Sequence, residues 1–196
     1  MYTTIATLLP LLALAVAAPT ANGPCRARKQ TYVAKYDGLP FQEPGPNPIP
    51  PHYYGLGYTT FQIDQHDHFI PPTSGNQWAM AFGGSGNISV PDSPPKQTFQ
   101  LESLSFACVS GVPQPECAIS IWGWKASAKV INRVINFPSL DPGHLVGGYI
   151  MNKTSFSWEW RDLKSVGFSI ARADNGGDMY GGLALDDVKY TLNFGC

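Results

Sequence analysis

Trp122 and Trp124 lie two positions apart in a run that alternates apolar residues with others. On an extended strand, residues with this spacing share one face, while Ile119 and Ile121 point to the opposite face. If the isoleucine face belongs to the core, both indoles lie on the outer surface of the sheet. Flat aromatic rings in that position form a platform for the apolar C–H face of a pyranose ring. Burial of both tryptophans in the core is the alternative.

Other aromatic residues fall into two groups. Tyr53 and Tyr54 follow the proline-rich stretch 40–51, which should form a stiff, extended surface loop. A stiff loop loses little entropy on binding, so both rings can join a ligand site at its rim. The second group repeats the spacing of two in a run that we expect to face the core: Phe156, Trp158 and Trp160.

Three aspartates lie near the two ends of the predicted domain: Asp37, Asp186 and Asp187. If the first and last strands pair, these carboxylates come together and repel one another unless a cation neutralises them. Ca²⁺ prefers six to eight oxygen ligands of this kind. The alternative is that the carboxylates accept backbone N–H groups at turns and at a β-bulge. The apolar parity slips between Asp186 and Asp187, which also indicates a bulge.

Acid–base or transition-metal chemistry has one candidate segment, His66-Asp67-His68. Two imidazoles at this spacing share a face if the chain is extended, and histidine titrates near neutral pH. With Asp67 they offer ligands for a transition metal. No HExxH motif, G-x-S-x-G elbow or paired catalytic carboxylates accompany them. The alternative is a solvated polar loop.

The first 17 residues predict a signal peptide. The apolar run 8–18 is too short to span a bilayer and contains the small-x-small pattern Ala15-Val16-Ala17. No later run approaches the length of a membrane-spanning helix, so we expect a secreted, extracellular protein without a membrane span. Asn87 and Asn152 begin acceptor sequons for N-glycosylation, which agrees with export.

Four cysteines remain after the predicted cleavage, and an oxidising compartment allows three pairings of them. Cys108–Cys117 is the preferred pair because it closes a short loop between two strand-like runs. Cys25–Cys196 would then tie the ends of the domain together. No CxxC pair supports a zinc site.

Composition limits the class of protein. Thirteen basic and fourteen acidic residues give a net charge of −1, which argues against a nucleic-acid partner. Short runs with a period of two, separated by glycine- and proline-rich turns, predict an all-β protein, an antiparallel β-sandwich or jelly roll. We expect an N-terminal extension at 18–31 and a single β-sandwich domain at 32–196.

A series of short motifs follows one order along the chain: Tyr36–Pro40, Ile49–Tyr58, Ser74–Phe82, Phe99–Phe106, Ile119–Gly123 and Leu183–Tyr190. In this order they resemble the strands and loops of secreted galactose-binding-like jelly-roll domains, many of which are carbohydrate-binding modules. The resemblance implies sugar binding without catalysis. It also implies a structural Ca²⁺ between Asp37 and Asp186 or Asp187. Gly38 departs from the opening motif of that group, which often has a second acidic residue here.

These observations favour a secreted, non-catalytic module that recognises an extracellular polysaccharide, another glycan or a surface component. One alternative is a small secreted enzyme or tailoring protein that uses His66, Asp67 and His68. The other is a host-directed interaction protein whose partner is a cell-surface protein. The first is motivated by the export signal, the order of the strands and the pair of Trp122 and Trp124.

Overall fold

Twelve β-strands and one turn of 3-10 helix form the regular structure of the residues described, which are 27–65, 70–92, 96–109, 116–138, 150–172 and 182–195. In this computed structural model the strands are β1 (Arg28–Ala34), β2 (Asn47–Pro48), β3 (Gly57–Thr59), β4 (Phe61–Gln65), β5 (Gln77–Phe82), β6 (Ser85–Ser89), β7 (Gln97–Val109), β8 (Cys117–Lys125), β9 (Val130–Phe137), β10 (Asn152–Ser155), β11 (Leu163–Arg172) and β12 (Gly182–Phe194). The 3-10 turn is Trp158–Trp160. Within the described ranges, no helix is long and apolar enough to cross a membrane.

The strands pair antiparallel in a sheet that curls into two halves. In the first half, β12 pairs with β5, β7 and β1, while β4 and β2 extend the sheet beyond β5, and β10 extends it beyond β7. The second half has the order β3-β6-β11-β8-β9. The two halves join where Leu163 of β11 pairs with Phe99 of β7.

The core lies between the two halves. Phe61 of β4 meets Phe168 of β11 edge to face, with ring centroids 5.9 Å apart. Phe106 of β7 meets Phe137 of β9 at 6.1 Å. β8 alternates buried and half-buried residues along most of its length, as a strand with one face in the core should. The predicted all-β, antiparallel fold is therefore confirmed.

A disulfide bond joins Cys108 at the end of β7 to Cys117 at the start of β8. Their Cα atoms lie 6.6 Å apart, and both residues are fully buried. The predicted pairing of these two cysteines is confirmed. Cys25 and Cys196 lie outside the described residues, so their pairing stays a prediction.

Two strands differ from the sequence-based expectation. β1 begins at Arg28, inside the predicted N-terminal extension, and its first residues are exposed or half-buried. Because these first residues of β1 are polar and pair with β12 through the backbone, the sequence shows no alternation of apolar side chains there. β6 begins inside the predicted turn Gly83–Gly86: Gly83 and Gly84 form a turn at positive φ, whereas Ser85 and Gly86 already pair with β11. Both strands depend on tertiary pairing, which local propensity does not encode.

The run Phe156, Trp158 and Trp160 was expected to form a strand facing the core, and that expectation fails at Trp158. The 3-10 turn replaces the two-residue period there. Trp160 is buried and its ring meets that of Phe156 at 4.8 Å, whereas Trp158 is 66% exposed. The guanidinium of Arg161 lies over the Trp158 ring at 4.9 Å. The 3-10 turn therefore places Trp158 outside the core.

Candidate functional site

Two neighbouring rows of side chains on the outward side of β3, β6, β11, β8 and β9 are called the open face below. Residues that pair directly across antiparallel strands point to the same side of a sheet. The first row is Thr59, Asn87, Gly167, Trp122 and Asn132, and the second is Gly57, Ser89, Ser165, Trp124 and Val130. Neither row contains an ionisable side chain. The open face is therefore electrically neutral along both rows.

Both tryptophans of β8 lie on the outer side of the sheet. Ile119 and Ile121 are fully buried on the inner side, so the alternation of the strand directs the indoles outward. Trp124 is 41% exposed and Trp122 is half-buried. This placement is the one that a stacking platform requires. Their role in binding stays a prediction.

Gly167 of β11 leaves the space that the indole of Trp124 occupies. A Cβ at Gly167 would lie 2.8 Å from Cζ3 and 2.9 Å from Cη2 of Trp124. Carbon atoms in ordinary contact are about 3.5–4.0 Å apart. The indole therefore reaches across the β11 backbone toward β6, and any side chain at Gly167 would displace it.

The open face carries a shallow depression of about 390 Å³ that is largely open to solvent, called the groove below. Its lining includes Thr59, Thr60, Asn87, Trp122, Trp124 and Gly167. The Thr60 hydroxyl donates to the carbonyl oxygen of Ser85 at 2.6 Å, which leaves its oxygen lone pairs to accept a hydrogen bond. Asn87 offers an amide donor and an acceptor. The groove thus combines apolar rings with neutral hydrogen-bonding groups.

Tyr53 and Tyr54 lie away from this groove, in a cluster of tyrosines beside β1 and β12. Tyr54 stacks on Tyr32 with ring centroids 5.4 Å apart, and the Tyr190 hydroxyl donates to the Tyr54 carbonyl oxygen at 3.1 Å. Burial, reinforced by neighbouring Tyr54, raises the pKa of Tyr53 to about 12. Neither tyrosine lines the groove, so the structure does not bring them to Trp122 and Trp124.

Asp186 of β12 is fully buried and holds the start of the 74–77 turn. Its Oδ2 accepts the Ser74 N–H at 2.7 Å, and the Ser74 hydroxyl lies 3.2 and 3.3 Å from the two carboxylate oxygens. Oδ1 accepts the Asp187 N–H at 2.7 Å. Burial raises the pKa of Asp186 to about 6, although these hydrogen bonds oppose the shift.

Asp37 holds the other end of the same turn. Its Oδ1 accepts the N–H groups of Asn76 at 3.1 Å and Gln77 at 3.3 Å. Gly75, which precedes Asn76 in the turn, has a φ of +51°, which favours glycine, and a Cβ there would collide with the Asp37 carboxylate. The turn is therefore clamped between the two carboxylates of Asp37 and Asp186.

Asp187 lies at a shift of register between β12 and β7, with a φ of +47°. Its Oδ1 is 4.0 Å from Lys35 Nζ. Among the described residues, no three carboxylate, imidazole or thiol side chains converge on one point. The geometry of Asp37 and Asp186 favours the interpretation in which aspartates accept backbone N–H groups. Calcium binding stays a prediction of the resemblance.

The remaining predicted site residues are those of the histidine segment and the two sequons. His66, Asp67 and His68 lie outside the described residues, so the structure leaves the proposed catalytic or metal-binding loop untested. Asn152 is half-buried at the start of β10, where it pairs with Phe106. Asn87 lines the groove of the open face. The two sequons are therefore in different surroundings.

Sequence reasoning missed Thr59, Thr60 and Gly167 as members of the groove. One signal was present in β11, where Val166, Phe168 and Ile170 alternate with the small residues Ser165, Gly167 and Ser169. A strand whose outward residues are all small leaves room for a large group from a neighbouring strand. That pattern alone does not say which strand supplies the group.

Neither a family model nor a curated protein matches this sequence. Solved structures do. The crystal structure of a DUF4465 family protein from Bacteroides caccae matches with a TM-score of 0.52 and 10% sequence identity, over 83% of this chain and 98% of that one. The two chains share a fold.

Lower-scoring matches include two carbohydrate-binding modules. One is a family 16 carbohydrate-binding module, with a TM-score of 0.35 and 9% identity over 71% of this chain and 88% of that one. The other is TmCBM61 in complex with β-1,4-galactotriose, with a TM-score of 0.31 and 9% identity over 76% of this chain and 98% of that one. At such identities, the ligand of this chain has to be argued from its own residues.

Proposed function

We propose that this protein is a non-catalytic binding module that holds an uncharged glycan on its open face. The observation that carries the proposal is the exposed indole of Trp124, which lies across Gly167 beside the hydrogen-bonding side chains of the groove. The predicted signal peptide supports an extracellular ligand.

The chemistry of the groove matches that of a pyranose ring. A pyranose has an apolar C–H face and a rim of hydroxyl groups. The indoles of Trp122 and Trp124 remove the C–H face from water. Thr60 and Asn87 accept or donate hydrogen bonds at the hydroxyl rim. This combination of apolar walls and a few polar groups is typical of sites for small ligands.

The absence of charge in both rows of the open face selects among glycans. Sulfate or carboxylate groups on a sugar gain affinity from Arg or Lys, since charge-assisted hydrogen bonds are the strong ones. None of the residues that line the groove supplies such a partner, whereas Asp92 and Lys164 line a separate depression beside Ser89 and Ser165. A neutral polysaccharide or oligosaccharide is therefore favoured over an anionic one.

A glycan array and pull-down on insoluble neutral polysaccharides test the proposal with three single variants and one double variant. Trp122→Ala and Trp124→Ala should each raise the Kd by about 30-fold, the effect of losing about 2 kcal/mol at the centre of a site. Trp158→Ala is the matched control, since it removes an exposed tryptophan that does not line the groove.

Circular dichroism and thermal melting establish that each variant is folded. Because Trp122 is half-buried, Trp122→Phe replaces the alanine variant if the latter melts early. A folded Trp122→Ala/Trp124→Ala double variant that binds as tightly as the unmodified sequence would overturn the proposal. So would an equal loss of binding in Trp158→Ala.

A further inference from the structure

Asn87, the acceptor residue of one of the two sequons, lines the groove. Asn87 is the central residue of β6 and pairs with Thr59 on one side and Gly167 on the other. Its side chain lies on the open face, in the first row with Trp122. Strands on both sides confine the Asn87 backbone, so a group attached to its amide extends outward over the open face.

The attachment point lies beside the exposed indole. The position that a Cβ of Gly167 would occupy is 2.8 Å from Trp124 Cζ3 and 3.9 Å from Asn87 Oδ1. The amide of Asn87 and the ring of Trp124 therefore flank the same small space above β11. The first sugar of an N-linked chain, joined to Asn87 Nδ2, begins in the groove.

We propose that an N-linked glycan on Asn87 covers Trp124 and closes the groove to other glycans, so that glycosylation regulates the binding site. The covering of Trp124 is independent of ligand binding, whereas the regulatory part rests on the proposed function. A tethered sugar acts at an effective concentration on the order of millimolar, because its attachment has already removed most of the translational freedom that a free glycan loses on binding. It therefore outcompetes a weakly bound free glycan.

The modification itself is a glycosyl transfer. A glycosyl diphosphate donor supplies the sugar, the bond between its anomeric carbon and the diphosphate oxygen breaks, and a bond to Asn87 Nδ2 forms. The amide nitrogen loses one proton, and the diphosphate leaves with the bonding electron pair. The sequon residue Ser89 is half-buried in the second row of the open face.

Ser89 provides a matched pair of variants. Ser89→Ala destroys the sequon, and Ser89→Thr keeps it, while both alter the same position. Both are produced in a eukaryotic secretory host, and mass spectrometry of the peptides containing Asn87 and Asn152 measures occupancy. We expect Asn87 to be modified in the Ser89→Thr protein. An unmodified Asn87 in secreted protein would overturn the proposal.

Acrylamide quenching of tryptophan fluorescence measures the covering of the indoles without any external ligand. The glycosylated Ser89→Thr protein should be quenched less than Ser89→Ala. That difference should become smaller when both proteins also carry Trp124→Phe, which leaves Trp122 as the remaining indole in the lining of the groove. Equal quenching of the modified and unmodified proteins would overturn the proposal.

Binding to neutral glycans then tests the regulatory role separately from the covering of Trp124. Ser89→Ala should bind at least about tenfold more tightly than glycosylated Ser89→Thr, and removal of the glycan by an endoglycosidase should restore part of the loss. Equal binding by both proteins would overturn the regulatory role. Shielded tryptophans together with no binding by Ser89→Ala would support coverage by the attached glycan and overturn the proposed function.

Discussion

Replacing Gly167 by alanine tests whether the position of the Trp124 indole matters for binding. The new Cβ would lie 2.8 Å from Trp124 Cζ3, so the ring must move by roughly 1 Å to reach ordinary contact. Trp124 is 41% exposed and has room to move outward. We expect the displaced ring to raise the Kd for the glycan by about tenfold, or 1.4 kcal/mol.

The same substitution should leave the stability of the fold unchanged or slightly raised. Gly167 does not lie at a positive φ, so alanine fits its backbone conformation. Alanine also reduces the conformational freedom of the unfolded chain, which is worth about 0.4–1 kcal/mol. A loss of affinity without a loss of melting temperature would separate the geometry of the site from the stability of the sheet.

Gly57→Ala is the matched control because Gly57 lies in the second row of the same face. A Cβ there would approach only Ser89, at 3.8 Å, which is ordinary contact. Isothermal titration calorimetry with a glycan identified on the array, together with thermal melts, compares the two variants. If folded Gly167→Ala binds as tightly as Gly57→Ala, the reasoning about Trp124 is refuted.

Three further predictions concern the terminal strands and the disulfide bond. Since the folded-state pKa of Asp186, about 6, exceeds its ordinary value of 3.8, protonation favours the folded state. The free energy of unfolding should therefore fall by about 2 kcal/mol between about pH 4 and pH 7. Asp186→Asn should lack this slope in urea titrations across pH, and an identical slope in the variant would contradict the assignment. Cys108→Ser/Cys117→Ser should lower the free energy of unfolding by about 2.5 kcal/mol, since the bond closes a loop with a sequence separation of 9; an unchanged urea midpoint would disprove this. The predicted calcium site requires one calcium per chain by elemental analysis and a melting temperature that EDTA lowers. An unchanged melting temperature in EDTA would leave Asp37, Asp186 and Asp187 as acceptors of backbone N–H groups or, for Asp187, as a neighbour of a lysine.

The sequence predicted those parts of the fold that depend on local alternation. β8 shows the two-residue period over nine residues, so the sequence separated the face of Ile119 and Ile121 from that of Trp122 and Trp124. Which of the two faces lies in the core was left open, and the structure shows that it is the isoleucine face. The Cys108–Cys117 bond was predictable because Cys108 lies near the end of one strand and Cys117 at the start of the next strand along the chain.

The neighbours of the tryptophans were not predictable, because they depend on which strands pair. Thr59, Asn87 and Gly167 come from three separate strands and meet in one row through their register alone. Tyr53 and Tyr54 were expected near a binding site because they are aromatic and loop-borne. The topology places them beside β1 and β12 instead. The residue types identified candidate site residues, whereas the order of the strands determines which of these residues lie together.

The place of β12 in the sheet has a consequence for the timing of folding during synthesis. β12 is the last strand described, and it pairs with β1, β5 and β7, so the first half of the sheet cannot close until residues 182–194 have been made. Synthesis of the roughly 95 residues between Asn87 and β12, at about 5–20 residues per second, takes about 5–20 s. Throughout much of this interval β6 also lacks its partner β11. The amide of Asn87, which lies in the middle of the finished sheet, is thus accessible to a transferase for seconds on a strand that has only β3 as a partner, until β11 is made and pairs with it.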